Sequence, residues 1–498
     1  MSEENSKSYR SIVKATGVFG TMQVFRTIIS IVSSKFVAVY LGPIGFGLLS
    51  LLNNAVNIIV AITNFEFLTV ATREVALVSS SEDDSQLSKT ISLLQRMAVV
   101  IGVLGAIVSA VFSKALSNMT FGNPDKQHWF IILSFYLLIT SFSNARMAIL
   151  QGVNNIKTLA LCNIVVAFIT AIGTVIIYYF LRIEGIIWVM LYSSLVLFLV
   201  TLYFTRQYKL TISSFGFKEF YDNSSPIFKF GFFMSVNLLL GQICNFAIKL
   251  YLNDSGASSQ VLGYYEVSTV ILINYLGLIF YAMSYDFYPK LTAVSSDNEK
   301  VKQLVNNQIE IALILVTPAI ILLYLTAPFL IELLYTKDFL NTFLILKIAL
   351  FSVILKTIIF PLGYIVLVKG DKKLFFKQAL FSDFLNLILS IVLYKYYGLL
   401  GLGVAYFLNY GIYAIYVYKM VNKQYDFSFV ESCRKLIGVS LIIGILAIVI
   451  IYSFEQLYVY LLISALLLIS VFYSYKELNQ RINIKELLQK KIFRKKSN

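Results

Sequence analysis

The sequence has few residues of the kinds that bind metals or cross-link a secreted fold. Its 498 residues include one histidine, His128, and three cysteines, Cys162, Cys244 and Cys433. A structural zinc site takes four Cys or His ligands, and these cysteines all lie in or beside apolar runs, where free cysteine packs as a small hydrophobic residue. The sequence therefore predicts no metal site, no disulfide framework and no bound cofactor.

Charged residues are scarce as well. They make up 13% of the chain, hydrophobic residues make up 58%, and the mean hydropathy is +0.78. A soluble protein could not bury that much apolar surface, whereas a membrane protein need not. Apolar runs of about 20 residues, the length of a membrane-spanning helix, lie at 15–39, 44–65, 90–113, 129–150, 156–180, 185–205, 227–251, 262–285, 304–326, 340–366, 374–394, 399–420, 435–453 and 456–474. The sequence predicts an all-α polytopic membrane protein of about 14 transmembrane helices.

Acidic residues are fewer than basic ones, 26 against 41, which gives a net charge of +15. With the N-terminus placed in the cytoplasm, most lysines and arginines fall in cytoplasmic segments, as the positive-inside rule requires. The outer loops hold only Lys114, Lys126, Arg182, Lys337 and Lys395. We therefore predict that both termini are cytoplasmic, that the charge reflects topology and not nucleic-acid binding, and that the basic tail 476–498 lies along the anionic inner leaflet.

The sequence also repeats itself weakly at an offset of 214 to 218 residues. The matched positions are Lys14 with Lys229, Asp83 with Asp297, Gly152 with Gly370, and Gly185 with Gly401. Parallel repeats of this kind enclose a substrate site near mid-membrane and are related by a pseudo-twofold axis along the membrane normal. The predicted domains are a six-helix lobe 1–205, a cytoplasmic linker 206–226, a six-helix lobe 227–421, two additional helices 422–475, and the tail 476–498.

Polar residues form stripes inside the apolar runs. In the first run Thr16, Gln23, Arg26, Ser30 and Ser33 recur at helical spacing and share one face. A cation within a lipid-spanning helix costs roughly 2.5–3.5 kcal/mol, so we expect this face to line a water-filled interior. Similar stripes consist of Asn53, Asn57 and Asn64 in the second run, and of Gln242, Asn245 and Lys249 in the seventh.

Other intramembrane charges allow two interpretations each. Lys35 either snorkels to the outer surface or faces the interior, and Arg146 either faces the interior or anchors to headgroups. Lys347 and Lys356 are nine residues apart on one helix, and we favour Lys356 as the cavity residue. The acids are Glu66, Glu266, Glu310 and Asp383. Each acid either pairs with a cation on a neighbouring helix or titrates, or binds Na⁺, during transport.

Intramembrane cations thus outnumber intramembrane acids, which indicates a cavity that attracts anions. Arginine matches phosphate geometry with two parallel hydrogen bonds, so the predicted cargo is anionic and phosphorylated. The candidate substrate-binding residues are Gln23, Arg26, Asn57, Arg146, Asn245, Lys249 and Lys356. The candidate ion-coupling residues are Glu66, Glu266, Glu310 and Asp383, and no catalytic residue is predicted.

The two-lobed plan resembles the multidrug/oligosaccharidyl-lipid/polysaccharide (MOP) exporter superfamily. Within it, the start IVKATGVFGTMQVFRTIISIVSSKFVAVYLGPIGFGLLSLL and the segment NFEFLTVATREVA at 64–76 resemble the Wzx-type O-antigen translocases. The resemblance implies a polysaccharide flippase of the bacterial plasma (inner) membrane. It would move an undecaprenyl-pyrophosphate-linked oligosaccharide to the outer leaflet by alternating access, with coupling to H⁺ or Na⁺ and with membrane lipids and other polysaccharide assembly proteins as partners.

Two alternatives remain at this point. A multidrug cation exporter of the same superfamily would need an acid facing the interior of the first lobe, where the first run offers Arg26 instead. A membrane polysaccharide polymerase or glycosyltransferase would need a large or acidic outer loop, and the outer loops are short. The sequence favours a transporter that is not an enzyme. It does not distinguish O-antigen from capsule, or name the sugars, the coupling ion or the oligomeric state.

Overall fold

The computed structural model describes residues 3–79, 84–208, 216–254 and 260–482. Helices account for nearly all of these residues, and no β-strand occurs among them. The α-helices are α1 (Glu3–Thr63), α2 (Phe67–Ser79), α3 (Asp84–Val111), α4 (Ser113–Phe121), α5 (Gln127–Gly152), α6 (Ile156–Leu181), α7 (Gly185–Thr205), α8 (Phe217–Asp254), α9 (Gln260–Thr269), α10 (Gly277–Ala293), α11 (Asn298–Leu334), α12 (Thr342–Val368), α13 (Lys372–Tyr425), α14 (Glu431–Ser453) and α15 (Gln456–Ile482). The π-helical segment Val270–Tyr275 joins α9 to α10. The predicted all-α class is confirmed.

The helices account for the predicted membrane spans. Ten stretches of the described residues are long and apolar enough to cross a membrane by length and composition. Three of these stretches extend over two predicted spans each, the first of them from residue 27 onward. The reason is that α1 breaks at Gly42 (φ 61°), α13 breaks at Gly398 (φ 56°), and α7 follows α6 after one short turn. The remaining predicted span, 227–251, lies in α8.

The helices of the second half repeat those of the first. Asn155 caps α6 by accepting a hydrogen bond from the Thr158 amide, and Asp371 caps α13 in the same way through the Leu374 amide, an offset of 216 residues. Such caps satisfy backbone N–H groups that have no partner inside the helix. The helices then break at Arg182 (φ 50°, ψ −130°) and at Gly398 (φ 56°, ψ −138°), again 216 residues apart. The internal repeat is therefore visible in the helix ends themselves.

Several sequence matches and segments fall outside the described part. Asp83 of the predicted repeat lies there, as do residues 209–215 of the predicted linker and residues 483–498 of the basic tail. Lys14 lies on α1, but its side chain is also outside the described part. The cytoplasmic position of both termini stays a prediction.

The chain packs as two compact units. Unit 1 consists of residues 1–263 with 334–336, and unit 2 of residues 264–333 with 337–498. In unit 1, α2 lies against α3 and α5, and its buried face includes Phe67, Ala71 and Val75. Helix α8, which the repeat assigns to the second half, packs against α1 in unit 1. The predicted lobe boundaries stay a prediction.

A polar cluster at one end of unit 2 joins α11 to the last two helices. Glu310 on α11 accepts hydrogen bonds from Ser432 Oγ (2.5 Å) and from Arg481 Nε (2.8 Å). Arg481 Nη1 also donates to Glu477 Oε2 (2.6 Å). The Glu310 side chain is 8% exposed, so its carboxylate depends on these partners for hydrogen bonds. The cluster therefore ties the C-terminal hairpin of α14 and α15 to α11.

We predict that Glu310→Ala destabilises the protein by on the order of 3 kcal/mol, because removing one partner leaves Arg481 with a single carboxylate in a mostly buried cluster. The matched control is Glu299→Ala on the same helix. Glu299 is 81% exposed in its pair with Lys302, and exposed ion pairs contribute about 0–1 kcal/mol. Thermal unfolding in detergent is the measurement, and equal melting temperatures for the two variants would contradict the prediction.

The break at Gly398 gives a second prediction. A Cβ at Gly398 would meet no atom within 4 Å, so Gly398→Ala should destabilise only through its positive φ, by about 1–3 kcal/mol. Gly438→Ala in α14 is the control, because it also has open space and no positive φ. There alanine should stabilise the helix by about 0.5–1 kcal/mol. Melting temperatures should therefore move in opposite directions, and a rise for Gly398→Ala would refute the argument.

Candidate functional site

The break in α1 brings Lys35 to a buried turn of unit 1. The Lys35 amine donates to the backbone carbonyl of Tyr335, and the Tyr335 ring lies edge-on to Phe46, with ring centroids 5.9 Å apart. Lys35 precedes the break at Gly42 and Phe46 follows it. Residue Tyr335 thus contacts both parts of α1, and Lys35 is half-buried against a backbone carbonyl. Both interpretations of Lys35 stay predictions.

Lys249 is a buried cation on α8. It is 7% exposed, and its amine donates to Ser50 Oγ at 2.7 Å. Ser50 lies one helical turn beyond Phe46 on α1 and is 2% exposed. Lys249 therefore contacts the part of α1 that follows the break at Gly42, whereas Lys35 lies on the part that precedes it.

Arg146 on α5 is buried without a carboxylate partner among the described residues. It is 5% exposed, and its Nη1 donates to Thr205 Oγ1 at 2.8 Å. Its guanidinium lies 5.4 Å from the centroid of the Phe142 ring, and its Nε has no hydrogen-bond partner in the described part. A side chain this buried does not reach lipid headgroups, which disfavours the anchoring interpretation. It leaves a guanidinium able to hold an anion.

Unit 2 contains two further candidate cations, Lys347 and Lys356. Lys356 is half-buried, with its amine 5.2 Å from the centroid of the Phe280 ring. The Lys347 amine lies 5.6 Å from the ring centroids of both Phe343 and Tyr452. These are cation–π distances. The two lysines have different aromatic neighbours, as their nine-residue separation on α12 predicts.

The four candidate ion-coupling acids occupy different settings. Glu310 is paired with Arg481, which is the structural alternative that the sequence left open. Glu66 lies in the turn between α1 and α2 with φ 51° and accepts from Thr69 Oγ1 at 3.3 Å. Glu266 on α9 and Asp383 on α13 are half-buried in unit 2. Ion coupling at any of them stays a prediction.

The predicted polar stripes are only partly described. Gln23 and Arg26 lie on α1, but their side chains are outside the described part. Asn57 is exposed, and so is Asn245, whose amide donates to the Gly241 carbonyl at 3.0 Å. The described end of the first stripe, Ser30 and Ser33, lines a cavity in unit 1.

This cavity lies among α1, α5, α6 and α7 and has a volume of about 410 Å³. We call it the hydroxyl cavity, because hydroxyl groups dominate its polar lining and no charged side chain lines it among the residues that the structure describes. Its polar lining residues are Ser30, Ser33, Ser34, Tyr136, Thr140, Asn163, Thr170, Thr174, Ser193 and Ser194.

Sequence reasoning found Ser30 and Ser33 and missed the rest of this lining. The missed residues are spread over four mostly apolar helices, and only the packing of those helices brings them together. One signal was available: Asn163, Thr170 and Thr174 are spaced by seven and four residues on α6, which places them on one helical face. This is the same pattern that identified the stripe on α1.

Solved structures of membrane transporters share the fold. The lipid II flippase MurJ in an inward closed conformation aligns with a TM-score of 0.67 and 16% identity over 94% of this chain and 99% of that one. An inward-facing multidrug resistance MATE transporter of the MOP superfamily aligns with a TM-score of 0.64 and 15% identity, over 83% of this chain and 95% of that one. The third structure is a MOP superfamily transporter from Pyrococcus furiosus, described as having a binding pocket of reversed polarity. It aligns with a TM-score of 0.59 and 14% identity, over 83% of this chain and 95% of that one.

These identities are low, so the three structures show a common fold. A comparison with curated proteins finds no significant match. The family model for polysaccharide biosynthesis proteins matches residues 55–344, which is more than half of the chain. The resemblance of the sequence to polysaccharide exporters is therefore confirmed: the chain belongs to the polysaccharide biosynthesis protein family.

Proposed function

We propose that the protein is a flippase for a lipid-linked oligosaccharide. Its cargo would be an undecaprenyl-pyrophosphate-linked repeat unit of O-antigen or a related polysaccharide, moved from the cytoplasmic to the outer leaflet of the bacterial plasma membrane. Three findings support the proposal: the family match, the many apolar spans, and the fold shared with a lipid II flippase. Alternating access and coupling to H⁺ or Na⁺ are part of the proposal.

The physical task explains why such a protein needs buried polar groups. An unassisted flip would take a charged, hydroxyl-rich headgroup through hydrocarbon, where each unsatisfied polar group costs several kcal/mol. Protein groups that hydrogen-bond the headgroup remove most of that barrier. No covalent bond has to form or break, so no catalytic residue is required.

The single observation that supports the proposal of an anionic cargo is the environment of Arg146. A buried guanidinium is costly unless it is paired, yet the described residues give it a threonine hydroxyl, an aromatic ring and no carboxylate. A pyrophosphate would supply the missing negative charge and could accept hydrogen bonds from Nε and Nη together. We therefore assign Arg146 to the pyrophosphate, together with Arg26 from the sequence stripe.

The prediction is that Arg146→Gln lowers surface polysaccharide by about 10-fold or more, since hydrogen bonds to charged groups contribute about 1.5–3 kcal/mol. Polysaccharide on the cell surface is measured beside the amount of protein in the membrane. Arg146→Lys, which keeps the charge, should retain more export than Arg146→Gln at equal membrane abundance.

Arg73→Gln is the matched control. Arg73 is an exposed arginine of the same unit and forms an ion pair with Glu74, so its loss should leave export unchanged. Wild-type export by a well-folded Arg146→Gln protein would remove Arg146 from the proposal.

A multidrug cation exporter is the second candidate, favoured by the fold shared with MATE transporters. Transport of cationic drugs calls for acids at the binding site, and the lining of the hydroxyl cavity contains none. We expect deletion of the gene to leave the accumulation of a fluorescent cationic dye unchanged while surface polysaccharide is lost. A rise in dye accumulation with normal polysaccharide would favour the drug exporter.

A further inference from the structure

The described lining of the hydroxyl cavity offers many hydrogen-bonding groups and no charged side chain. Its ten polar side chains come from four helices, α1, α5, α6 and α7, and none of these described lining residues is ionisable at neutral pH. A phosphate there would lose its hydration without gaining a counter-charge, and so would a cationic drug. The lining therefore favours a neutral ligand that carries several hydroxyl groups.

The hydrogen bonds within the lining show which of its polar groups can still bond to a ligand. Ser193 and Ser194 donate to the carbonyls of Met190 and Leu191, both at 2.7 Å. Each of these hydroxyl oxygens still has lone pairs that can accept a hydrogen bond. The groups facing the cavity thus include acceptors that suit the hydroxyl donors of a sugar.

Thr170 on α6 is the most informative residue of the lining. Its Oγ1 is buried and has no hydrogen-bond partner within the described part of the chain. An unsatisfied buried hydroxyl costs about 1–3 kcal/mol, so a side-chain rotation that turned it toward a ligand hydroxyl in the cavity would recover free energy on binding. Removing this hydroxyl breaks no hydrogen bond among the described residues.

The size and position of the cavity fit part of a membrane-borne cargo. Its volume of about 410 Å³ is in the range of roughly 300–1,000 Å³ that small-molecule sites occupy. It shares Ile29, Ser33 and Ala171 with an apolar groove between α1 and α6 that is lined by exposed side chains such as Phe168. A cargo whose chain stays in lipid beside these helices therefore has its polar part within reach of the cavity.

We propose that the hydroxyl cavity binds an uncharged sugar residue of the cargo and so contributes to selection of the glycan. This inference rests on the proposed flippase function and adds a second contact to it: Arg146 and Arg26 hold the pyrophosphate, and the hydroxyl cavity holds a sugar. Recognition by hydroxyl groups penalises a ligand that lacks the matching hydroxyl, because buried partners are then left unpaired. The cavity thus distinguishes glycans that carry the same lipid and the same phosphates.

The test uses the full-length protein in lipid nanodiscs and two kinds of labelled probe. One is a short-chain prenyl pyrophosphate without sugar. The others carry a neutral hexose, an N-acetylhexosamine, a deoxyhexose or a disaccharide on the same lipid. At least one sugar-bearing probe should bind the wild-type protein more tightly than the sugar-free probe.

Thr170→Val and Ser194→Ala are the test variants, since each removes a hydroxyl with little change of shape. Each should weaken binding of the preferred sugar-bearing probe by about 3- to 10-fold, the effect of one lost hydrogen bond, and leave the sugar-free probe unchanged. Thr357→Val is the control: its hydroxyl is buried in unit 2 and donates to the Val353 carbonyl of its own helix at 2.8 Å. It should change neither affinity.

The outcomes separate the two proposals. If the wild-type protein binds all probes equally and the variants have no effect, the sugar site is refuted while pyrophosphate binding stands. Equal weakening of both kinds of probe by Thr170→Val would also refute the sugar site, because it would indicate a general loss of structure. If no prenyl pyrophosphate binds at all, the flippase proposal fails and the sugar site fails with it.

Discussion

The structure depends on one constraint: in hydrocarbon, every backbone N–H and C=O group must find its partner within the protein. The described chain meets it with helices almost throughout. Direction changes fall in short connections between the helices and at breaks such as Gly42 and Gly398, where the backbone adopts positive φ. Side chains complete the hydrogen bonding at some helix starts, as Asn155 and Asp371 show. Even the polar side chains of the spans mostly donate to carbonyls of their own helix. Polar side chains without such a bond are therefore the candidates for contacts with a ligand.

Features that depend on local sequence could be predicted, and features that depend on packing could not. The apolar runs and the internal repeat could be identified in advance, because hydropathy and the spacing of repeated residues are properties of the sequence alone. The pairing of Glu310 with Arg481 joins residues 171 positions apart. The sequence could therefore suggest that Glu310 pairs with a cation, but it could not identify which one. The burial of Arg146 depends on α7, which supplies Thr205. The hydroxyl cavity needs four helices at once, and only its α1 and α6 faces have a periodicity that the sequence shows.

The polar groups of unit 1 divide into two kinds with different physical roles. Arg146 is a buried cation that bonds a threonine hydroxyl and has no carboxylate partner among the described residues. The described lining of the hydroxyl cavity, in contrast, has no charged side chain and many hydrogen-bonding groups. A cargo with a charged end and a neutral, hydroxylated end matches this division. A cargo of one kind only would leave part of unit 1 without a partner.

The membrane potential acts on the charge of Arg146, which has no carboxylate partner among the described residues. Moving one elementary charge across the whole membrane changes the free energy by about 2.3 kcal/mol per 100 mV. A voltage that is negative inside therefore holds the empty guanidinium toward the cytoplasm and resists its outward displacement. A doubly negative pyrophosphate held by Arg146 and Arg26, as proposed above, would cancel both charges, so the voltage would no longer oppose outward movement of the loaded site. In the proposed cycle the electric field would therefore act on the empty site and return it to the cytoplasmic side.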